Sequence, residues 1–150
     1  MTKETVKKWI AKAESDLITA KNELKVEYPM TDAICFHAQQ CAEKYLKAFL
    51  VFHDKYIFRT HDIGFLVKEC ALLDSEFNTL LDEGIDQLTE YAVHIRYPDE
   101  FYFPSIEDAE NAIRKAEKVK EVVIKSLEKM GFQVNPEKIL KEVRDELSQK

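Results

Sequence analysis

Apolar residues recur along this chain at intervals of three and four, and the pattern predicts helices almost from end to end. From about Lys3 to Leu24, Val6, Trp9, Ile10, Ala13, Leu17, Ala20 and Leu24 form one amphipathic stripe. Pro29 closes the connection, and Thr31 is placed to cap the next helix through its hydroxyl. From about Asp32 to His53, Ile34, Ala38, Cys41, Tyr45, Ala48 and Phe52 make one stripe, and Cys35, Leu46 and Leu50 make a second beside it. A helix apolar over most of its circumference is a buried one. Its surplus apolar surface predicts burial between two subunits.

The pattern continues with Ile63, Leu66, Val67 and Cys70 over about Asp62–Leu73. Leu80, Leu81, Ile85, Leu88, Ala92 and Ile95 then predict one helix over about Glu76–Ile95. Pro98 biases Tyr97 away from helical geometry, which puts Arg96 at or just past that helix end. An aromatic loop follows, with Phe101, Tyr102 and Phe103. Ser105 and Asp108 have the spacing of a capping box. Beyond them Ile106, Ala109, Ala112, Ile113, Ala116, Val119, Val123 and Leu127 are expected to face the core, with Gly131 as the C-terminal cap. Asn135-Pro136 starts a last amphipathic piece with Ile139, Leu140, Val143 and Leu147. The expected fold is all-α: an up-and-down bundle of about five helices over residues 1–131, with a helical appendage over 132–150.

Composition agrees. Gly and Pro total seven of 150 residues, too few for a many-turned β architecture. The apolar runs are short and interrupted by charge, so no span of a bilayer is expected. With no signal-peptide pattern at Met1-Thr2-Lys3-Glu4, the expected compartment is the cytosol. Cys35, Cys41 and Cys70 show no framework spacing and read as reduced, buried thiols. The net charge of −6 is uneven: +2 over residues 1–60, −8 over 61–104 and zero over 105–150. The acidic middle argues against broad, non-specific nucleic-acid binding. Within it only Lys68 and Arg96 are basic.

Candidate chemistry sits on a few residues. The second helix carries Gln40, Glu43, Lys44 and Lys47 on one narrow edge. Charges on a nearly buried helix require partners, so this edge is expected to face a groove, another subunit or a ligand. Lys44 and Lys47 read equally as a solvated, mostly exposed pair, and Gln40 as an amide bonded to backbone. His61 reads as structural, bonding a neighbouring helix end, or as a proton carrier. Arg96 reads as a phosphate clamp or as a cation on a helix C-terminus. His37 and Cys41 have the i, i+4 spacing of metal ligands but no companion pair, so core roles are expected and no metal or cofactor is implied.

Four pieces in order resemble the HEPN domain family: Trp9, Ala13, Asp16-Leu17 and Ala20; Ala38-Gln39-Gln40 with Glu43-Lys44 and Lys47-Ala48; Thr60-His61-Asp62-Ile63; and Arg96-Tyr97-Pro98-Asp99. The resemblance implies a compact helical bundle acting as a homodimer. It also implies partnership with a small nucleotidyltransferase in a toxin–antitoxin-like pair, and a nucleotide or RNA site drawing on Gln40, Glu43, Lys44, Lys47, His61, Arg96 and Tyr97. Many members are metal-independent ribonucleases, marked by an arginine and, about four to six residues on, a histidine that moves the proton. Arg96 matches the arginine, but the three places for the histidine hold Phe101, Tyr102 and Phe103. The expectation is therefore an accessory protein that binds nucleotide or RNA phosphate near Arg96 without turning it over. The alternatives are a ribonuclease toxin whose proton carrier is His61 or Tyr102, with Arg96 the third catalytic candidate, and a purely structural helical adaptor.

Overall fold

The computed structural model describes residues 3–93 and 103–148, except for the Val93 side chain. Arg96, Tyr97, Phe101 and Tyr102, with the helix end expected at Ile95, lie outside the described residues. The described elements are α1 (Lys3–Leu24), α2 (Thr31–Phe52), α3 (Ile63–Ala71), α4 (Asn78–Asp82), α5 (Glu90–Val93), α6 (Ile106–Lys129) and α7 (Pro136–Ser148). Two 3-10 turns, Ser75–Phe77 and Ile85–Thr89, lie between α3 and α5. The fold is all-α, and no described helix is long and apolar enough to cross a membrane.

α2 is the axis of the molecule. Both of its predicted stripes are buried, Ile34, Ala38, Cys41, Tyr45 and Ala48 on one side and Cys35, Leu46 and Leu50 on the other, with Phe52 at the end of the first only partly so. α1 packs on it antiparallel, so that Trp9 stands by Lys47 and Asp16 by His37. α6 runs antiparallel to α1, tied by Lys21 to Glu117 at 2.9 Å and by Lys120 to Glu14 at 2.9 Å. α3 and the short pieces after it cover the remaining flank. The surplus apolar surface expected on α2 is thus covered within one chain.

Helix ends follow local chemistry. Ser105 Oγ accepts from the Asp108 N–H at 2.9 Å while the Asp108 carboxylate accepts from the Ser105 N–H at 3.1 Å, the expected capping box. Gly131 takes φ 86°, and the N–H groups of Gly131 and Phe132 close on the carbonyls of Glu128 and Leu127, each at 3.0 Å. That is a Schellman ending, and it tucks Phe132 against Phe52. Asn135 Oδ1 caps α7 through the Lys138 N–H at 3.2 Å. α7 lies on α1, with Ile139 buried and Leu140 and Val143 partly so.

Three expectations are corrected. The single helix over 76–95 is broken in two by Gly84, whose φ of 72° lies in the left-handed region that glycine enters most readily. Its apolar residues reach the core regardless, since Leu80, Ile85, Leu88 and Ala92 are all buried. Thr31 is the first residue of α2 and no cap; Met30 holds the cap position without a side-chain bond. Ile106 is exposed, because it opens the first turn of α6 before that helix reaches its neighbours.

The 3-10 turn at 75–77 is anchored by Asp74. Its carboxylate accepts from Ser126 Oγ at 2.5 Å and from the Glu76 N–H at 3.0 Å, and it pairs with Lys129 at 3.2 Å. Burial alone would raise its pKa, but the bonds from Ser126, Glu76 and Lys129 together outweigh burial and hold it below the usual carboxylate value. The unfolded chain therefore takes up this proton first as pH falls. The stability Asp74 contributes is complete above the unfolded pKa, near 4, and is lost as pH drops through the lower folded value. Asp74→Asn should flatten the acid limb of a melting-temperature profile below about pH 4, leaving the neutral plateau lower by about 1–2 kcal/mol. An unchanged acid limb would show that the pairing does not persist in solution.

Candidate functional site

The polar edge of α2 is turned toward α1 and the loop before α3. Glu43 is 5% exposed and Lys47 7%. Lys47 Nζ donates to Glu43 Oε2 at 3.0 Å, one helical turn away, and sits 5.9 Å above the Trp9 ring. The other carboxylate oxygen, Oε1, accepts from Gln39 Nε2 at 3.0 Å and from His61 Nδ1 at 2.7 Å. Gln39 also reaches the His61 carbonyl at 3.5 Å, and Gln40 Nε2 donates to Gln39 Oε1 at 2.6 Å. The expectation of two mostly exposed lysines is corrected. Lys47 is enclosed, and Lys44, one quarter exposed, bonds Asp16 Oδ2 at 2.6 Å.

His61 is the outward end of this network. An ionised carboxylate only accepts, so the bond places a ring proton on Nδ1, and in the neutral ring this makes Nε2 the acceptor. The side chain is half exposed, and its other end is held by a buried anion with three donors. An imidazole oriented by a carboxylate in this way has the arrangement of a general base. The expected partner, a helix end, is replaced by the Glu43 side chain. The reason is local: Asp62 caps α3 by accepting from the Phe65 N–H at 3.0 Å, which leaves the neighbouring ring to face α2. Thr89 Oγ1 accepts from the Ile63 N–H at 2.9 Å and fastens this loop to the 3-10 turn that leads into α5.

A second buried network lies deeper. Glu14, 3% exposed, accepts from Tyr45 Oη at 2.7 Å through Oε1 and from Lys120 at 3.0 Å through Oε2. Burial, and then the Glu14 charge, push the Tyr45 phenol far above its ordinary value, so it remains a donor throughout the accessible pH range. Asp16 bridges Lys44 to His37 Nδ1 at 2.8 Å, which explains His37 without any metal. Among the described residues no group of three or more His, Cys, Asp or Glu could hold a metal ion. All three cysteines are buried and free, and burial raises the Cys35 thiol to about 12.

Of the ligand-site residues read from the sequence, the structure brings together Gln40, Glu43, Lys47 and His61, and sets Lys44 beside them on Asp16. Glu14 and Lys120 are not singled out by the sequence, which marks Gln39 only as part of the family pattern and Tyr45 only as a core residue. Glu14 had one legible signal, a carboxylate four residues after Ile10 and three before Leu17, on the stripe that faces the core.

This helical architecture, with its polar network at the centre, accompanies a match to a family model. The HEPN domain model matches residues 6–129, and the chain belongs to the HEPN domain family. A protein of Methanocaldococcus jannaschii named "Putative toxin MJ1304" is 37% identical over 133 residues, covering 78% of this chain and 84% of that one. No solved structure matches.

Proposed function

We propose that this protein is the HEPN-domain accessory of a small nucleotidyltransferase in a toxin–antitoxin-like pair, a cytoplasmic homodimer that binds nucleotide or RNA phosphate near Arg96. The observation that carries the reading is His61. It is half exposed, fixed by Glu43, and fastened through Ile63 and Thr89 to the turn that runs into the segment holding Arg96. Arg96 and Tyr97 are the residues we assign to the phosphate, and His61 and Gln40 are the hydrogen-bonding groups we assign to the rest of the ligand. Glu43 and Lys47 act from behind as positioning residues, and Lys44 orders the flank through Asp16. The toxin name of the archaeal relative supports the toxin–antitoxin setting. Exposed Phe103 and Ile106, at the start of α6, are the apolar surface we assign to the dimer seam.

A second reading is favoured by one observation, the carboxylate-held imidazole. In a metal-independent cleavage, His61 Nε2 would take the proton of a ribose 2′-hydroxyl as its oxygen attacks phosphorus. The P–O5′ bond would then break, leaving a 2′,3′-cyclic phosphate, and the departing 5′-oxygen would take up a proton from water. One protein preparation tests both readings. Light scattering is expected to give twice the 17.5 kDa chain mass, and a single-stranded RNA should bind, with binding weakened by Arg96→Ala. RNA incubated with chelator should stay intact. Cleavage that disappears in both His61→Ala and Arg96→Ala would establish the second reading, and a monomer that binds no RNA would refute the first.

A further inference from the structure

We propose that the groove between α1 and α7 is a docking site for an acidic amphipathic helix of a partner protein. The site is independent of the Arg96 region and of the function assigned to it. The groove encloses about 310 Å³, and its apolar floor is formed by Ala11, Leu140 and Val143, with Leu147 43% exposed at one end. Two adjacent helices leave a channel into which the ridge of a third helix fits. One wall belongs to α7, which lies beyond the residues 6–129 shared with the family, so the channel is an addition to the common domain.

Charge identifies the occupant. Lys12 stands on the α1 rim and Arg144 on the α7 rim. Elsewhere, Lys21, Lys44 and Lys120 each hold a carboxylate of another helix within 3 Å. Lys12 has none within 4 Å among the described residues. Among the described residues Arg144 has only Asp145, its sequence neighbour, at 3.7 Å, with both side chains more than half exposed. Residues 3–12 carry Lys3, Lys7, Lys8 and Lys12 against Glu4 alone, in a chain whose net charge is −6. Cations on both sides of an apolar floor match a helix with a leucine stripe flanked by carboxylates. An RNA backbone would meet the cations but gain nothing from Leu140 and Val143. A membrane surface favours a convex apolar face over a channel.

The test is fluorescence anisotropy with the full chain and a labelled synthetic peptide of about 18 residues, long enough for a stable turn pattern. It carries leucine at i, i+3, i+4 and i+7 spacing with glutamates on the flanks. The natural chain is expected to bind it. Lys12→Glu combined with Arg144→Glu should weaken binding at least about tenfold, and a peptide with lysine in place of glutamate should recover the loss. Both substituted residues are exposed, and circular dichroism checks that the fold is kept. No binding by the natural chain would overturn the proposal. So would equal binding of a scrambled peptide without the stripe, indifference to the double substitution, or displacement of the peptide by a single-stranded RNA.

Discussion

Glu43→Ala lowers the stability of this protein by about 3–5 kcal/mol, the usual cost of removing one partner of a buried ion pair. At this chain length that is a fall of roughly 6–20 °C in melting temperature. The carboxylate accepts from Lys47, Gln39 and His61, and its loss leaves an ammonium that is only 7% exposed without its anion. Glu43→Gln keeps the shape but not the charge and should cost less. Glu43→Leu with Lys47→Leu should recover part of the loss, because an apolar pair of similar volume removes the buried charge altogether. Urea unfolding of the four proteins measures this. A loss under about 1 kcal/mol in Glu43→Ala would mean that water reaches Lys47 and that the network does not exist as described.

Glu14→Ala is expected to cost about as much, about 3–5 kcal/mol, for the same reason and through different partners. Tyr45, fully buried, loses the acceptor of its hydroxyl, and Lys120, one quarter exposed, loses its anion. Tyr45→Phe removes only one of the two bonds to Glu14 and should cost about 1–2 kcal/mol. The effects of Glu14→Ala and Tyr45→Phe should not add, since both delete the same bond; the shortfall in the double variant measures the coupling. Strict additivity would show that Tyr45 is held by packing alone. Neither substitution touches His61 or the α1–α7 groove, so RNA binding and peptide binding should survive at temperatures where the variant remains folded.

Both experiments concern polar groups that the family pattern only half disclosed. Glu43, Lys47 and His61 belong to pieces that resemble the family, and their residue types announced chemistry. Their spacing along α2 also announced a shared edge. Whether that edge met solvent, a ligand or another helix depended on where α1 and the loop before α3 came to rest. Periodicity is silent on that point, because the same spacing suits a solvated ion pair and a buried one. The spacing therefore suits two exposed lysines, yet Lys47 is enclosed, and Lys44, three residues earlier, bonds the buried Asp16 while staying one quarter exposed itself.

By itself the sequence determined the all-α class, the extents of α1, α2 and α6, the start of α7 at Pro136, and the capping box at Ser105. It also determined most of the core residues, though not Phe49 or Phe77, because helix periodicity and cap chemistry act within a few positions of the chain. Only the tertiary structure decided that Gly84 divides the fourth segment, since an isolated glycine is tolerated in many helices. Only the packing of α1, α3 and α6 decided that α2 is covered within one chain. It likewise decided that His61 points its bonded nitrogen at Glu43, and that α7 makes a channel with α1 in place of a free tail. Those outcomes join residues up to more than a hundred positions apart, as Lys120 and Glu14 are joined, and no local pattern carries that information.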